Sequence, residues 1–502
     1  MPRKITDRLH ILLIGSKPGA AAAALIVRLR ERPAPRHWTH WFGVVPPALV
    51  VVLVVTGAVL TFWYSGSTDR TVYDGPYAPL NGVEVSKAFD SVMRISFEQP
   101  GGLLVRQLHH WAALALPASI CIQLAIIFFT GGFRRPRRAG WVLLVLVLLA
   151  ALATGWSGYA LPDDLLAGTG LSIAHGVALG IPVVGTGLAA LLFGGGFPGD
   201  VIERLTPLHV AVLPALLVVV LVWRAVLVLR TDAPVLPRPP GRPLAGEPTW
   251  PNAGIRALGL GAVVTGLLVL VSSTVTVGAV WLNGPSDPAS AGAGSQPDWY
   301  TGFLDGALRL VPPGWEFEWL GHTWTLAVLV PLAVVGVAIL IVLLYPFLES
   351  WVTHDRVQHH TLQRPRNAAN RTAFGVAGLT FFGTLWAAGA ADHLAALLHL
   401  SLEGVLIGYQ VLVVAGPILA FTLAQRLCLG LQRKDLEIVE HGYETGVIVR
   451  LPGGEYAEEY AGGGAQELWR LPGHSIRRSL VSPGDAPRSG VAVSESRKVD
   501  IS

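Results

Sequence analysis

The chain has 502 residues, of which 52% are hydrophobic and only 14% are charged. Soluble proteins carry about 25% charged residues, so this composition excludes an ordinary soluble globular protein, and its apolar content excludes a disordered one. The mean hydropathy of +0.52 requires several long apolar segments rather than one anchor. Two cysteines are too few for a disulfide scaffold. The net charge of +4 comes from basic residues that, in a membrane protein, mark cytoplasmic loops rather than a nucleic-acid surface.

Eight apolar segments are about 20 residues or longer, the length of helix that crosses the hydrocarbon core of a bilayer. In chain order they cover residues 41–64, 103–129, 141–161, 205–229, 255–281, 323–347, 372–391 and 405–429. A further apolar stretch, residues 170–193, is interrupted by Pro182 and several glycines, which predicts short interfacial helices rather than a span. The sequence therefore predicts an all-α membrane protein with eight transmembrane helices.

Basic residues are concentrated in alternate connections between these segments. They are Arg28, Arg30, Arg32 and Arg36 before the first segment, Arg134, Arg135, Arg137 and Arg138 after the second, Arg230, Arg238 and Arg242 after the fourth, Arg356, Arg364, Arg366 and Arg371 after the sixth, and Arg433 and Lys434 after the eighth. The intervening loops are poor in basic residues. The positive-inside rule therefore predicts a multi-pass cell-membrane protein with both termini in the cytoplasm.

Polar residues occur at two matched depths within the second and fourth segments. His109 and His209 lie near the outer ends, and Gln123 and Arg224 follow them by about 21 and 22 Å at 1.5 Å per helical residue. Ionisable groups are costly inside membrane helices, so their presence there suggests a functional site. Two imidazoles at equal depth could both bind a haem iron. The alternative is that these histidines lie at the interface and hydrogen-bond to water or lipid headgroups.

A haem also needs a flat slot and partners for its propionates. Gly57, Gly155 and Gly158 lie in the neighbouring helices and allow close approach to such a slot. Arg106 lies one turn before His109, where its guanidinium can meet a propionate carboxylate. These residues are therefore candidate haem contacts.

Several strings, taken together, resemble the cytochrome b subunit of cytochrome bc complexes. They are RQLHHWAA at residues 106–113, TGWSGYALPDD at 154–164, and PDWY at 297–300, where Asp298 replaces the glutamate of the PEWY signature of that family. TGGFRRPR at 130–137 and HGYETG at 441–446 resemble the actinobacterial branch. The resemblance extends over about residues 38–446.

The resemblance implies a haem-binding four-helix bundle, helices 1–4, followed by C-terminal helices of the cytochrome b/b6 type. The expected parts are a cytoplasmic segment 1–37, the bundle 38–232, a cytoplasmic linker 233–254, the C-terminal helices with the PDWY loop 255–430, and a cytoplasmic, flexible tail 431–502.

The resemblance also implies a subunit of a quinol–cytochrome c oxidoreductase, a respiratory translocase that oxidises quinol at the outer face. Asp298 is then the carboxylate that accepts a quinol proton, Tyr300 hydrogen-bonds or gates the ring, and Tyr159 belongs to the opposite wall. Expected partners are a Rieske iron–sulfur subunit, a c-type cytochrome subunit and a second copy of this chain, with menaquinol as the quinol favoured by the branch. The chain has no C-x-x-C-H, Rieske or P-loop motif, so other redox centres must come from those partners.

The sequence departs from the family at one of its two haem sites. His109 and His209 match the ligands of the outer, low-potential haem b. The positions of the inner ligands hold Gln123 and either Trp223 or Arg224, and the accompanying basic position holds Ile126. We therefore expect one haem b, at the outer site, with Gln123 and Arg224 hydrogen-bonded across the vacant slot. The alternative is a non-catalytic membrane scaffold or quinone-binding paralogue; a transporter is weaker, since no charged pair lies at mid-membrane.

Overall fold

A computed structural model describes residues 27, 29–30, 32–35, 37–237, 246–290, 296–464 and 467–472. Most of the predicted N-terminal segment 1–37, the end of the tail 431–502, and Arg28, Arg36, Arg238 and Arg242 lie outside these residues. The helices are α1 Val45–Thr61, α2 Lys87–Phe97, α3 Gly102–Phe129, α4 Arg138–Ala160, α5 Leu165–Leu179, α6 Gly185–Phe193, α7 Val201–Pro207, α8 Leu213–Arg230, α9 Gly254–Thr274, α10 Val280–Asn283, α11 Gly302–Arg309, α12 Leu326–Val352, α13 Ala369–Gly389, α14 Ala391–Leu398 and α15 Leu402–His441.

Eight helical segments in the described chain are long and apolar enough to cross a membrane, which confirms the predicted number. They are Trp38–Thr61, Gly102–Phe129, Arg138–Ala160, Val201–Arg230, Thr249–Thr274, Leu326–Val352, Ala369–Gly389 and Leu402–His441. The stretch at 170–193 forms the two short helices α5 and α6. The architecture is therefore all-α, with α1, α3, α4 and α8 forming the predicted N-terminal bundle.

The fifth span ends earlier than the sequence predicted. Helix α9 stops at Thr274, and residues 275–279 form an irregular segment that leads to α10. Gln107 of α3 binds both the carbonyl and the amide of Val277, at 3.0 and 2.8 Å, and Trp111 Nε1 donates to the Val275 carbonyl. Because α3 satisfies these backbone groups, the apolar run does not have to stay helical.

The small strands form four antiparallel pairs. They are β1 Pro33–Pro35 with β4 Gly246–Pro248, β2 Arg70–Val72 with β3 Glu84–Ser86, β5 Glu316–Trp319 with β6 His322–Thr325, and β7 Tyr443–Arg450 with β8 Tyr456–Ala461. The pair β7–β8 belongs to a second compact unit, residues 237–242 and 432–502, in which the Arg470 guanidinium stacks over the Tyr443 ring. The helices up to residue 431 belong to the first unit.

The connections meet at two ends of the bundle. At the basic end, residues 130–137, 231–236 and 353–368, Arg134 Nη2 donates to the Thr361 carbonyl at 3.1 Å and the Val235 amide donates to the His360 carbonyl. At the other end, which contains Pro297–Tyr300 and is called the PDWY end below, the Glu203 carboxylate accepts from the Thr68 amide at 2.6 Å. Connections after spans 2, 4 and 6 thus lie opposite those after spans 1, 3 and 5.

Candidate functional site

The structure brings His109 of α3 and His209 together inside the bundle. Their ring centroids are 6.3 Å apart, and the planes are nearly perpendicular at 76°. Two metal–imidazole bonds of about 2 Å each, together with the ring radii, amount to roughly 6 Å between centroids. His209 lies in a single π-helical turn, residues 208–212, between α7 and α8. Such turns often aim a side chain at a functional site.

Hydrogen bonds fix the tautomer of both imidazoles. The Thr56 hydroxyl donates to the Val52 carbonyl at 2.7 Å, so it accepts from His109 Nδ1, which lies 2.9 Å away. His209 Nδ1 lies 2.9 Å from the Thr154 carbonyl, which can only accept. Both protons are therefore on Nδ1, and each Nε2 presents a lone pair. This is how a neighbouring group prepares a histidine to ligate a metal.

Two of the three predicted slot glycines contact these imidazoles. A Cβ at Gly57 would lie 3.2 Å from His109 Cε1, and one at Gly158 would lie 3.0 Å from His209 Nε2. Gly155 instead faces the PDWY segment, because a Cβ there would lie 2.6 Å from the Tyr300 hydroxyl. In this structure Gly155 makes room for Tyr300, and its contact with a haem stays a prediction.

Arg106 has a buried group without a partner. Its Nη2 donates to the Gly278 carbonyl, while its Nη1 is buried and has no hydrogen-bond partner among the described residues. An unpaired N–H of a buried guanidinium, one turn from His109, is complementary to a carboxylate. The histidine pair, the close glycines and this free donor together fit a bis-histidine haem with a propionate beside Arg106.

The PDWY segment lies beside the first site. The Tyr300 hydroxyl donates to Asp298 Oδ2 at 2.9 Å, and His110 Nε2 lies 3.3 Å from Asp298 Oδ1. Burial and the Asp298 carboxylate raise the pKa of Tyr300, so this hydroxyl keeps its proton. Since His110 directly follows His109 in α3, two consecutive residues link the imidazole pair to the Asp298 carboxylate.

Two indole groups hold this segment in place. Trp299 Nε1 donates to the Leu114 carbonyl of α3 at 3.2 Å, and Trp386 Nε1 of α13 donates to the Trp299 carbonyl at 2.9 Å. The backbone of Gly306 in α11 lies directly against Leu385 of α13, where no side chain would fit. The carboxylate of Asp298 is thus positioned by α3 and α13 together.

Tyr159, predicted for the opposite wall, lies near Tyr300, and its hydroxyl donates to the Leu166 carbonyl at 3.1 Å. The following turn carries two carboxylates. Asp164 is buried, caps α5 at the Ala167 amide and accepts from Asn283 Nδ2 at 2.7 Å. Burial raises the pKa of Asp163 to about 6, although a hydrogen bond from Ser86 and the charge of Arg70 oppose this.

The polar residues at the basic end of the bundle do not pair with each other. Gln123 and Arg224 are 8% and 9% exposed, yet Gln123 Oε1 and Arg224 Nε have no hydrogen-bond partner among the described residues. The predicted hydrogen bond between them is therefore wrong. Gln123 instead lies against the 3-10 turn Trp38–Gly43 that precedes α1, where a Cβ at Gly43 would be 3.3 Å from its Nε2. Trp223 is 58% exposed and points out of the bundle.

Aliphatic side chains fill the space between the two depths. Along α3, the buried residues Ala112, Leu116 and Ile120 are spaced by four positions on one face between His109 and Gln123, and Pro117 and Ser119 are buried beside them. Leu144 of α4 and Leu217 of α8 meet them in the same core cluster, and Ile120 and Leu144 are completely buried. No two histidines face each other there in the described structure, so the residues at this depth do not fit a second haem.

The sequence reading missed the residues that orient the imidazoles. Thr56 precedes Gly57, and Ser157, whose hydroxyl lies 3.1 Å from His209 Nδ1, precedes Gly158. Both residues could have been predicted from one pattern. In each case a hydroxyl residue precedes a helical glycine at the depth of a histidine on a facing helix. Gln107, 1% exposed, was missed because its partners lie in an irregular segment 170 positions away.

Comparisons with known proteins identify the family of this chain. The family described as Cytochrome b(N-terminal)/b6/petB matches residues 114–285. The cytochrome bc1 complex cytochrome b subunit of Streptomyces coelicolor is 40% identical over 443 residues, covering 88% of this chain and 81% of that protein. The corresponding subunit of Mycobacterium tuberculosis is 40% identical over 442 residues, covering 87% and 80%.

One further relative and one solved structure extend the comparison. The cytochrome b subunit of Corynebacterium efficiens is 38% identical over 428 residues, covering 84% of this chain and 79% of that protein. A chain of a hyperthermophilic respiratory Complex III superposes with a TM-score of 0.58 at 18% identity, covering 80% of this chain and 94% of that chain, which shows a shared fold. The present chain belongs to the family of cytochrome b subunits of cytochrome bc1 complexes.

Proposed function

We propose that this chain is the cytochrome b subunit of a quinol–cytochrome c reductase that holds a single haem b between His109 and His209 and oxidises quinol beside Asp298. The observation that carries this proposal is the pair of imidazoles 6.3 Å apart, each with its Nδ1 proton engaged and its Nε2 lone pair free. Both imidazoles are hydrogen-bonded through Nδ1, which leaves each Nε2 available to bind a metal.

The protein side of the haem site follows from the described contacts. His109 and His209 supply the two Nε2 ligands, and Thr56 and the Thr154 carbonyl keep them in the neutral, ligating tautomer. Arg106 Nη1 pairs with a propionate. When bound, the haem supplies a one-electron redox centre close to the quinol site.

Asp298 and Tyr300 carry the proton chemistry of the proposed quinol site. The Asp298 carboxylate is 15% exposed in its side chain and can accept a proton from a quinol hydroxyl, which must lose it as the ring is oxidised. The Tyr300 hydroxyl donates to the other carboxylate oxygen and fixes its orientation. Tyr159 faces this pair from α4 and bounds the space next to the ring.

The proposal of a single haem rests on the basic end of the bundle. Gln123 and Arg224 are not histidines, and the bundle interior between them and the imidazole pair is packed with buried leucine and isoleucine. A second haem at the depth of Gln123 and Arg224 would need two ligands there, and neither side chain is an ordinary haem ligand. The electron route from the first haem to the basic end therefore lacks a second centre in this chain.

The partners and the membrane orientation complete the proposal. The chain contains no Rieske or c-type haem motif, so we infer that an iron–sulfur subunit and a c-type cytochrome subunit accept the electrons. The arginines of the basic end support a cytoplasmic location for that end and an outer location for the PDWY end, with the chain in the cell membrane as a homodimer. Menaquinol is the proposed quinol.

A second candidate function is favoured by the packed basic end. Without a route across the membrane, the chain can act as a scaffold of the complex, or as a paralogue that binds quinone without turnover. The two candidates differ in whether quinol reduces a haem of this chain.

Redox difference spectra of the purified complex separate the two candidates. We expect quinol to reduce a b-type band that disappears completely in His109→Ala and in His209→Ala. His393→Ala, which changes an exposed histidine outside the bundle, should leave the band intact. A complex that assembles normally but shows no quinol-reducible b band would favour the scaffold.

A further inference from the structure

The hairpin β5–β6 has two chemically different faces. In the antiparallel register Phe317 pairs with Trp324 and Trp319 pairs with His322, so these four side chains share one face. Glu316 and Glu318 pair with threonines on the other face. The rings of Phe317 and Trp324 stack at an interplanar angle of 12°, and Trp319 packs on Trp324 at 5.4 Å.

The aromatic face lacks a covering element in the described chain. Phe317 is 46% exposed, Trp319 is 56% exposed, and Leu320 at the turn is 74% exposed. An exposed apolar cluster of this kind marks a surface that contacts something other than water. The hairpin itself is well defined, because Trp324 Nε1 donates to the Trp319 carbonyl at 3.1 Å.

The hairpin directly precedes a membrane span, which places it near the membrane surface. Span α12 begins at Leu326, directly after β6, and the Leu326 amide donates to the Trp315 carbonyl at 2.7 Å, which ties both ends of the hairpin to the start of the span. Four-residue strands reach about 13 Å. The exposed stripe of α12, Val330, Val334 and Val337, starts one turn below. The hairpin thus lies at the boundary between hydrocarbon and water.

The chemistry of the two faces matches that boundary. Tryptophan is enriched at the membrane–water interface, where its ring meets lipid and its N–H meets polar groups. The glutamates of the opposite face favour water over a lipid surface. We propose that β5–β6 is an interfacial anchor whose aromatic face, Phe317, Trp319 and Trp324, lies in the phospholipid headgroup layer at the PDWY end.

The anchor has a consequence for the neighbouring site. Only α11 and a short connection separate Tyr300 from the hairpin, and the Leu310 carbonyl in that connection accepts from Gln410 Nε2 of α15. Fixing the hairpin in the headgroup layer fixes the depth of α11 in the bilayer. This inference concerns the membrane contact alone and does not depend on haem content or on quinol turnover.

Depth-dependent quenching in the assembled complex tests the anchor. A fluorophore is attached to Trp319→Cys, and as matched control to Glu318→Cys on the opposite face, both in a Cys121→Ala, Cys428→Ala background. The complex is placed in phosphatidylcholine nanodiscs containing a lipid with a spin label near the headgroup. We expect the label at position 319 to be quenched several-fold more by this lipid, and several-fold less by aqueous iodide, than the label at position 318.

Two results would overturn the proposal. Equal iodide quenching at both positions would mean that the aromatic face lies in water. Shielding of position 319 from both iodide and the labelled lipid would mean that a protein subunit covers the face. Phe317→Cys is labelled as a second position on the aromatic face, so that loss of one variant during folding leaves the test intact. Size-exclusion chromatography verifies that each labelled variant assembles like the parent.

Discussion

The same four helices build two very different halves of one bundle. Near the PDWY end, α1, α3, α4 and the turn before α8 present histidine, glycine and hydroxyl side chains around His109 and His209. Towards the basic end, they present leucine and isoleucine that are almost completely buried. The difference is the reason a haem is proposed only for the PDWY half. A flat cofactor and a closely packed aliphatic core cannot occupy the same volume, so a haem site needs small side chains as well as ligands.

Removing the carboxylate next to the PDWY half is expected to have the largest effect. Asp298→Asn keeps the hydrogen bond from Tyr300 but cannot accept a quinol proton, so we expect quinol turnover to fall by about 10²- to 10⁴-fold. Steady-state quinol oxidation by the complex measures this. Asp287→Asn, a change in an exposed loop at the same end, should leave turnover unchanged. Normal turnover of Asp298→Asn would remove this carboxylate from the mechanism.

The packing of the basic half predicts opposite effects for two substitutions. Leu144→Ala removes a completely buried side chain and should reduce the free energy of unfolding by about 2–5 kcal/mol. Gln123→Leu removes a buried oxygen without a hydrogen-bond partner and should be neutral or stabilising by about 1–2 kcal/mol. Thermal unfolding of the complex in detergent compares them. Destabilisation by Gln123→Leu as large as that by Leu144→Ala would mean that the glutamine has a partner in the assembled complex.

The Thr56 hydroxyl, which binds His109 Nδ1, can be removed without removing a haem ligand. Thr56→Val keeps the shape of the side chain but removes the acceptor of the Nδ1 proton, and loss of such a partner typically weakens metal binding by about 10- to 100-fold. Haem retention after extensive washing measures the effect. Thr61→Val, one turn away on an exposed face of the same helix, is the matched control. Equal retention in both variants would show that Thr56 does not orient the ligand.

The smallest effect is expected from Asp163 at the PDWY end. Because its pKa is raised to about 6 by burial, the folded protein binds this proton more tightly than the unfolded chain does. The stability that it contributes is present below about pH 4 and is lost as the pH rises through about 6. Asp163→Asn should therefore weaken the decline of the melting temperature between those pH values. An identical decline in parent and variant would contradict the raised pKa.

The sequence predicted the number of spans because long apolar runs depend only on composition and length. The predicted end of the fifth span was wrong. Gln107 and Trp111 bind the backbone of the irregular segment after Thr274, and these contacts cannot be seen in the apolar pattern alone. The helix of the eighth span, α15, continues from the predicted end at residue 429 to His441. Its last part is polar, so a search for apolar segments does not include it.

The candidate site was only partly predictable for a similar reason. His109 and His209 were found because polar residues in apolar helices stand out, and Asp298 and Tyr300 because of a short motif. Thr56, Ser157 and the free Nη1 of Arg106 needed three-dimensional contacts. The sequence placed Gly155 at the haem slot only because it lies in a neighbouring helix, whereas the structure shows Tyr300 packed against it.

The haem b content of the purified complex decides whether the bundle holds one haem or two. A pyridine haemochrome assay, normalised to the amount of this chain, counts b haems without assuming their position. We expect one haem b per chain, which is lost in His209→Ala. Two b haems per chain would contradict this, because the second would have to bind at the depth of Gln123 and Arg224, where the chain has no histidine pair.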